Sequence, residues 1–219
     1  YFNTKRGNLH AVDHVNISIM KGETLGVVGE SGCGKSTLGR TILRLLEPTS
    51  GEILYNGQNI VDYSTKQMKE MRKKMQIIFQ DPFTSLNPRM SVSEIIAEPM
   101  ITTKTLKNNT ERLARVYRLM ETVGLAERFI NSYPHELDGG RRQRIGIARA
   151  LSVSPKLIVC DECVSALDVS IQAQNINLLM HLQQKLGIAL VFVSHDLRVV
   201  QHISTHVAVM YLGKVVDYA

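Results

Sequence analysis

Residues Gly29 to Ser36 combine glycines, a lysine and a serine at a spacing that suits phosphate chemistry. They read Gly-Glu-Ser-Gly-Cys-Gly-Lys-Ser, with an apolar run before them and a helical pattern after them. Glycines let the backbone curl so that its N–H groups point at phosphate oxygens, and a helix N-terminus adds partial positive charge. Lys35 would pair with the β- and γ-phosphates, and the Ser36 hydroxyl would be a ligand for Mg²⁺. This segment predicts a loop that binds a nucleoside triphosphate.

A second segment, Leu157 to Glu162, is an apolar strand pattern that ends in two carboxylates. Beside a phosphate-binding loop, Asp161 can hold Mg²⁺ through its water shell. Glu162 lies one residue further along and can polarise the water that attacks the terminal phosphate. Because each segment supplies what the other lacks, the two together predict hydrolysis of the triphosphate.

The cysteines permit further interpretations of the same region. Cys160 and Cys163 form a C-x-x-C pattern, which is typical of redox-active or metal-binding sites. Asp161 and Glu162 between them already have a role, and no second Cys/His pair follows at metal spacing. We interpret the pair as structural, and three cysteines in the chain argue against a disulfide framework.

Strand and helix patterns alternate along the chain and would bring these segments together. Strands are predicted at 25–28, 75–79, 157–160, 189–193 and 206–210, and helices at 35–46, 66–75 and 170–186. Pro48 ends the first helix and Gly187 ends the last. The Asn56–Gly57 pair predicts a tight hairpin between 52–55 and 58–61. This alternation indicates a largely parallel sheet covered by helices, with ligands at the carboxyl ends of its strands.

Between residues 81 and 138 the strand signals stop and helical patterns take over. Helices are predicted at 92–100 and 110–123. The second would have one apolar face, formed by Leu113, Val116, Tyr117 and Met120. Residues 81–138 are therefore predicted to form an inserted helical subdomain, while 1–80 and 139–219 together form the nucleotide-binding core with its antiparallel β region.

Composition narrows the classes of protein. Hydrophobic residues make up 44% of the chain, enough for one sizeable core. Apolar runs such as 188–193 are far shorter than the roughly 20 residues of a membrane helix, and no signal-peptide pattern opens the sequence, so an intracellular protein is expected. The net charge of +6 is typical of a protein that binds nucleic acid or lies at an anionic membrane surface. Aromatic residues are only 5% and Trp is absent, so a base-stacking platform is poorly supported.

A third segment, Leu137 to Arg144, resembles the signature of ABC ATPases, which is usually Leu-Ser-Gly-Gly-Gln followed by a basic helix. Other motifs of that family are present in order: Gln80 for the Q-loop, Ser165 to Asp168 for the D-loop and His195 for the switch histidine. The resemblance covers nearly the whole chain. It implies the α/β fold of an ABC-type P-loop NTPase, with a largely parallel core sheet, an antiparallel β region and an inserted helical subdomain.

The same resemblance assigns the residues of the site. The implied catalytic residues are Glu162, His195 and Gln80. Mg²⁺ would be held by Ser36, Gln80 and, through water, Asp161. The adenine of ATP would stack on Tyr1, with Phe2 as the alternative aromatic. Further contacts to the nucleotide are implied for Gly29, Ser31, Gly32, Cys33, Gly34, Lys35, Ser36 and Thr37. The ATP of an opposite cassette would be contacted by Asp138, Gly139, Gly140 and Asp168.

Within the ABC group, the stretches Gly29–Arg40, Gln80–Arg89 and Ser165–Gln174 are similar to ATPases of dipeptide, oligopeptide and nickel importers. The likeness implies an ATPase subunit at the cytoplasmic face of the membrane, with ATP and Mg²⁺ as cofactors, that powers import of di- or oligopeptides. Its implied partners are two integral-membrane permease subunits, a second and different ATPase subunit, and an extracytoplasmic solute-binding protein, but no nucleic acid. Members of that group continue well past residue 219, so a C-terminal extension is expected to be missing.

The sequence departs from the family pattern at three positions. Asp138 replaces the usual Ser and Arg141 the usual Gln, while Gly139 and Gly140 are kept; Cys163 stands where Pro is usual. A carboxylate beside a γ-phosphate is repulsive, which predicts unequal ATP sites in a heterodimer. Alternatively, Asp138 pairs with Arg141 and caps the signature helix, where a carboxylate is favourable.

Two competing functions stay open. One is a non-transport ABC ATPase that acts on nucleic acid or ribosomes, which the pI near 9.3 would suit. Such proteins usually carry two cassettes or a long coiled coil, whereas this chain has one compact cassette, which ranks that function below transport. The other is a regulatory subunit that does not hydrolyse ATP; Glu162 and His195 argue against it, and Asp138 leaves room for it.

Overall fold

The computed structural model describes residues 10–165 and 168–219. Its strands are β1 (Thr24–Gly29), β2 (Leu54–Tyr55), β3 (Gln58–Asn59), β4 (Met75–Ile78), β5 (Leu157–Asp161), β6 (Ala189–Ser194), β7 (His206–Tyr211) and β8 (Lys214–Tyr218). Its α-helices are α1 (Lys35–Ile42), α2 (Thr65–Lys74), α3 (Pro82–Ser85), α4 (Val92–Thr102), α5 (Asn109–Thr122), α6 (Gly139–Leu151), α7 (Val169–Leu186) and α8 (Leu197–Ile203). Short 3-10 turns at Glu127–Phe129 and Pro134–Glu136 precede α6.

Six strands form one sheet in the order β4-β5-β6-β1-β7-β8. The first five run parallel to one another, and β8 returns antiparallel to β7. β2 and β3 form a separate antiparallel hairpin, in which Asn56 and Gly57 have φ angles of 50° and 77°, as a tight type I′ turn requires. The expected α/β fold, with a largely parallel core sheet and an antiparallel β region, is confirmed.

The carboxyl ends of four neighbouring strands meet at one edge of the sheet. β1 leads into the phosphate-loop segment, β5 ends in Asp161, β6 leads to His195, and β4 leads to Gln80. The strands end in register, because Val28 pairs with Ser194 and Asp161 pairs with Val193. The four loops therefore lie side by side at the edge where open α/β sheets bind their ligands.

Hydrophobic side chains pack on both faces of this sheet. On β1, Leu25 and Val27 join a cluster with residues of α1 and α2, whereas Val28 joins the cluster on the opposite face. This alternation follows from the two-residue period of a strand. The second cluster contains buried residues of α4, α5, α6, α7 and α8. Among the described residues, no helix has the length and apolar character needed to cross a membrane.

α1 is shorter than the sequence pattern predicts. It ends at Ile42 rather than at residue 46, because Arg44 adopts a left-handed conformation with φ 51° and diverts the chain before Pro48. The prediction also lacks α8 and β8, which have seven and five residues. The seven residues of α8 make only about two helical turns, too few for a clear helical period. β8 is mostly exposed and lacks the regular apolar alternation of a half-buried strand.

The buried face of α5 also differs from the prediction. Val116 and Met120 are buried as expected, together with Leu119, while Leu113 is 43% and Tyr117 36% exposed. α5 packs against α4 and α6, which rotates its buried stripe toward Leu119. Residues 81–138 contain α3, α4 and α5, and all their described positions lie outside strands. The boundaries of an inserted subdomain at 81 and 138 stay a prediction.

Candidate functional site

The loop after β1 has the conformation that an anion-binding helix start requires. Gly34 is the N-cap of α1 with φ 107° and ψ 1°, and no side chain caps the helix there. The first N–H groups of α1 therefore have no partner within the helix and suit an anion. A Cβ atom at Gly34 would lie 2.0 Å from the carbonyl oxygen of Ala11, so only glycine fits. Gly32 also has a positive φ, 82°, but a Cβ there would meet no atom within 4 Å.

Lys35 is buried, with only 4% of its surface exposed. Its Nζ donates hydrogen bonds to the carbonyl oxygens of Gly29 at 2.8 Å and Glu30 at 2.7 Å. The sulfur of Cys33 lies 3.9 Å from the same nitrogen. Because these carbonyl oxygens are neutral, they orient the ammonium group without cancelling its charge. Lys35 is thus positioned inside the loop to receive an anion.

Ser36, in the first turn of α1, meets the carboxylate at the end of β5. Its Oγ donates a hydrogen bond to Oδ1 of Asp161 at 2.6 Å, and Asp161 is 1% exposed. Hydroxyl and carboxylate oxygens are the hard ligands that Mg²⁺ accepts, directly or through water. Ser36 and Asp161 therefore provide two neighbouring oxygen ligands that fit this ion.

The three residues predicted to be catalytic meet at the carboxylate of Glu162. Its Oε2 accepts a hydrogen bond from Nε2 of Gln80 at 3.1 Å, and Nδ1 of His195 lies 3.5 Å from the same oxygen. The Glu162 side chain is 15% exposed, whereas that of His195 is 57% exposed. The three residues follow β5, β4 and β6, which are neighbours in the sheet.

The backbone of Glu162 is strained, because its φ of 48° lies in the left-handed region. Its N–H donates to the carbonyl oxygen of Val193 at 3.0 Å. Its own carbonyl oxygen accepts hydrogen bonds from the N–H of Ser165 at 3.1 Å and from the Ser165 hydroxyl at 2.9 Å. Conformations of this kind persist only when their surroundings enforce them, and they cluster at functional sites.

The segment that resembles the ABC signature forms the start of α6. Asp138 is the N-cap, and its Oδ1 accepts a hydrogen bond from the N–H of Arg141 at 2.8 Å. Its Oδ2 lies 2.9 Å from Nη1 of Arg141. The interpretation in which Asp138 caps the helix and pairs with Arg141 is confirmed. Gly140 is buried, and a Cβ there would lie 2.6 Å from Cγ2 of Ile171 in α7.

Comparison with known proteins shows the family of this chain. The ABC transporter family matches residues 12–165, a range that includes β1, the phosphate loop, the signature segment and the end of β5. The chain belongs to the ABC transporter family. It is an ATP-binding cassette of that family.

Relatives of this cassette include two proteins of Bacillus subtilis. The oligopeptide transport ATP-binding protein OppF is 56% identical, over 100% of this chain and 72% of OppF, and AppF is 55% identical, over 99% of this chain and 66% of AppF. OppF of Haemophilus influenzae is 55% identical, over 99% of this chain and 65% of that protein. The cassette thus spans 65% to 72% of the length of these relatives.

Solved structures of other cassettes share the fold. The cassette MJ0796, in a dimeric post-hydrolysis state bound to ADP and phosphate, is 31% identical with a TM-score of 0.86, over 95% of this chain and 90% of that one. CbiO1 of Clostridium perfringens, part of the ABC transporter complex cbiONQ, has the same identity and TM-score, over 95% of this chain and 81% of that one.

The remaining predicted contacts of the cassette have the following places. Tyr1 and its alternative Phe2 lie outside the described residues. Ser31 is exposed on the phosphate loop, and Thr37 follows Ser36 in the first turn of α1. Asp168 is the exposed N-cap of α7.

Motif spacing did not reveal Arg40, which contacts the same carboxylate as Ser36. Its Nη2 lies 3.5 Å from Oδ2 of Asp161. Ser36 and Arg40 are four residues apart on α1 and therefore lie on one face of the helix. That spacing is the sequence signal that could have revealed the contact.

Two more arginines join α3 to the signature helix α6. The guanidinium of Arg142 lies 4.9 Å from the ring centroid of Phe83, within cation–π range. Arg149 donates a hydrogen bond to the carbonyl oxygen of Ser85 at 2.6 Å. Since α3 begins two residues after Gln80, these contacts tie the Q-loop to the signature helix. The contacts join segments far apart in the chain, and the spacing of residues within either segment does not indicate such contacts.

The C-x-x-C pair of the cassette is buried, with Cys160 0% and Cys163 1% exposed, and both are free thiols. A hydrogen bond with Cys163, together with burial, raises the pKa of the Cys160 thiol. Metal ligands and nucleophiles are thiolates, and reactive cysteines are also accessible, so a buried thiol with a raised pKa supports the structural interpretation. In 10–165 and 168–219, no three His, Cys, Asp or Glu side chains cluster closely enough to hold a metal ion by themselves.

Proposed function

We propose that this chain is the ATP-hydrolysing subunit of an ABC importer for di- or oligopeptides. The proposed hydrolysis of ATP is supported by the convergence of Gln80 and His195 on one oxygen of Glu162. Peptide import is supported by relatives at 55% to 56% identity that are named oligopeptide transport ATP-binding proteins.

In this proposal the start of α1 binds the phosphates of ATP. The N–H groups that follow Gly34 donate to phosphate oxygens, and Lys35 turns its ammonium from loop carbonyl oxygens toward the β- and γ-phosphates. Ser36, Gln80 and, through water, Asp161 hold Mg²⁺. When bound, the ion offsets the charge that develops on the phosphate oxygens. Tyr1 stacks on the adenine.

Hydrolysis depends on Glu162 and the two residues at its carboxylate. Glu162 orients and polarises a water molecule, whose proton moves toward the carboxylate as its oxygen bonds to the γ-phosphorus. The bond from that phosphorus to the β–γ bridging oxygen breaks, giving ADP and phosphate. His195, 3.5 Å from Oε2, keeps the Glu162 carboxylate in this orientation and contacts the γ-phosphate.

The partners follow from the division of the site between elements. The phosphate loop precedes α1, whereas Asp138, Gly139 and Gly140 begin α6. In a head-to-tail pair with a second, different ATPase subunit, this start of α6 and Asp168 face the ATP of the partner. Two permease subunits and an extracytoplasmic solute-binding protein complete an importer whose ATPases lie at the cytoplasmic face of the membrane.

Reconstitution of the assembled transporter tests this function. The full-length protein, its ATPase partner, the permeases and the binding protein are placed in liposomes with a labelled tripeptide. We expect ATP-dependent accumulation of the peptide, lost when Glu162→Gln is introduced. ATP hydrolysis that nucleic acid stimulates, without peptide transport, would support the non-transport ABC ATPase. Absence of hydrolysis in the complete assembly would support the regulatory subunit.

A further inference from the structure

Asp161 receives two contacts from one face of α1. Ser36 donates to Oδ1 at 2.6 Å, and the Arg40 guanidinium lies 3.5 Å from Oδ2. Both oxygens of the carboxylate thus have a partner on the same helix. The contacts come from residues one helical turn apart, so the rigid helix fixes their spacing.

The two members of the ion pair differ sharply in exposure. The Asp161 side chain is 2% exposed, whereas that of Arg40 is 48% exposed. A buried carboxylate without a counter-charge is costly. Lys35 precedes Ser36 in the sequence, but its ammonium group donates to the carbonyl oxygens of Gly29 and Glu30. Arg40 supplies the salt bridge to Asp161, and its exposed half leaves it room to move away.

We propose that Arg40 is a positioning residue that neutralises Asp161 before Mg²⁺ binds and gives up the carboxylate to the hydrated ion. This inference rests on the proposed role of Ser36 and Asp161 in holding Mg²⁺. Arg40 and the ion are both cations directed at one buried carboxylate, so each weakens the hold of the other. Arg40 therefore stabilises the site without the ion and lowers the gain in nucleotide affinity that Mg²⁺ provides.

The experiment compares ADP binding with Mg²⁺ and with a chelator, by calorimetry on the full-length protein. The measured quantity is the ratio of the two affinities. Arg40→Gln, which removes the charge, should raise this ratio about threefold to fivefold, as expected for a half-exposed ion pair. Arg40→Met, which keeps the aliphatic stem, carries the same expectation in case the glutamine variant does not fold. Arg40→Lys, which keeps the charge, should stay near the parent ratio.

A second readout is the midpoint of thermal unfolding without nucleotide. Arg40→Gln should lower it, and saturating Mg²⁺ and ADP should reduce the difference from the parent protein. Arg72→Gln, which removes an exposed charge on α2, is the matched control and should change neither readout.

The outcomes separate this inference from the proposed function. An unchanged or lower affinity ratio in both Arg40→Gln and Arg40→Met, with ADP still bound, would overturn the role of Arg40 alone. Failure of the parent protein to gain any affinity for ADP from Mg²⁺ would instead overturn the assignment of the ion to Ser36 and Asp161.

Discussion

Arg141 engages both carboxylate oxygens of Asp138, through its backbone N–H at 2.8 Å and its guanidinium at 2.9 Å. The guanidinium also lies 4.8 Å from the ring centroid of Phe129, which helps to fix its position. The two departures from the usual signature therefore act together. The charge that Asp138 would present to an opposite γ-phosphate is offset by a neighbour on the same helix turn.

The first prediction concerns this pair in a heterodimer of this chain with a second ATPase subunit. Glu162→Gln in this chain silences hydrolysis of the ATP at its own phosphate loop, so the measured turnover comes from the ATP bound to the partner. Arg141→Gln alone leaves the Asp138 carboxylate without its guanidinium partner. Turnover at the partner's site should then fall about threefold to tenfold, because the repulsion of a γ-phosphate at 4 Å, about 4 kcal/mol at an effective dielectric of 20, is largely screened at a half-exposed site. The double change Asp138→Ser with Arg141→Gln should keep turnover near the parent rate. Equal turnover in all three heterodimers would mean that the charge of Asp138 is irrelevant.

The second prediction separates hydrolysis from binding at Glu162. Glu162→Gln keeps the shape of the side chain and its contact with Gln80 but removes the base. Turnover in the assembled transporter should fall at least about a hundredfold, within the usual range for a general base, while ATP affinity is preserved. Glu121→Gln, an exposed change on α5, serves as the control. Hydrolysis by Glu162→Gln at the parent rate would remove Glu162 from the mechanism.

The third prediction contrasts two glycines of the phosphate loop. Gly32→Ala places a side chain at φ 82° with nothing within 4 Å, so its cost is backbone strain, about 1–2 kcal/mol. Gly34→Ala adds a collision, since its Cβ would lie 2.0 Å from the Ala11 carbonyl oxygen at φ 107°. Urea unfolding should show a larger loss of stability for Gly34→Ala, and ATP binding should be lost in that variant first. If both variants lose the same stability, the contact with Ala11 does not shape the loop.

The sequence predicts this site well because each motif has a local physical cause. Glycines, a lysine and a serine at fixed spacing lead to a phosphate-binding loop, and an apolar strand that ends in Asp161 and Glu162 puts two carboxylates beside it. Parallel strand order then brings Gln80 and His195 to the same edge of the sheet. The resemblance to ABC ATPases was needed to select these two residues from other glutamines and histidines.

What the sequence did not predict depends on three-dimensional packing. The buried stripe of α5 includes Leu119 rather than Tyr117, because α4 and α6 determine how that helix is rotated. The choice between a repulsive and a capped Asp138 required the observed contact with Arg141. The contact of Arg142 with Phe83 joins segments whose separation in the chain gives no periodic signal. The spacing of Ser36 and Arg40 indicates a shared face of α1 but does not identify Asp161 as the carboxylate that this face contacts.

The fourth prediction concerns the buried thiols that flank Asp161 and Glu162. Cys160 and Cys163 are 0% and 1% exposed, so iodoacetamide can reach them only when the chain opens. In the folded full-length protein, both should be alkylated at least about a hundredfold more slowly than in denaturant, as mass spectrometry of the peptides would show. Met20→Cys, at a position that is 65% exposed, provides a control thiol that should react at once. Rapid alkylation of Cys160 in the folded protein would show an accessible thiolate, and the redox and metal-binding interpretations of the C-x-x-C pattern would then return.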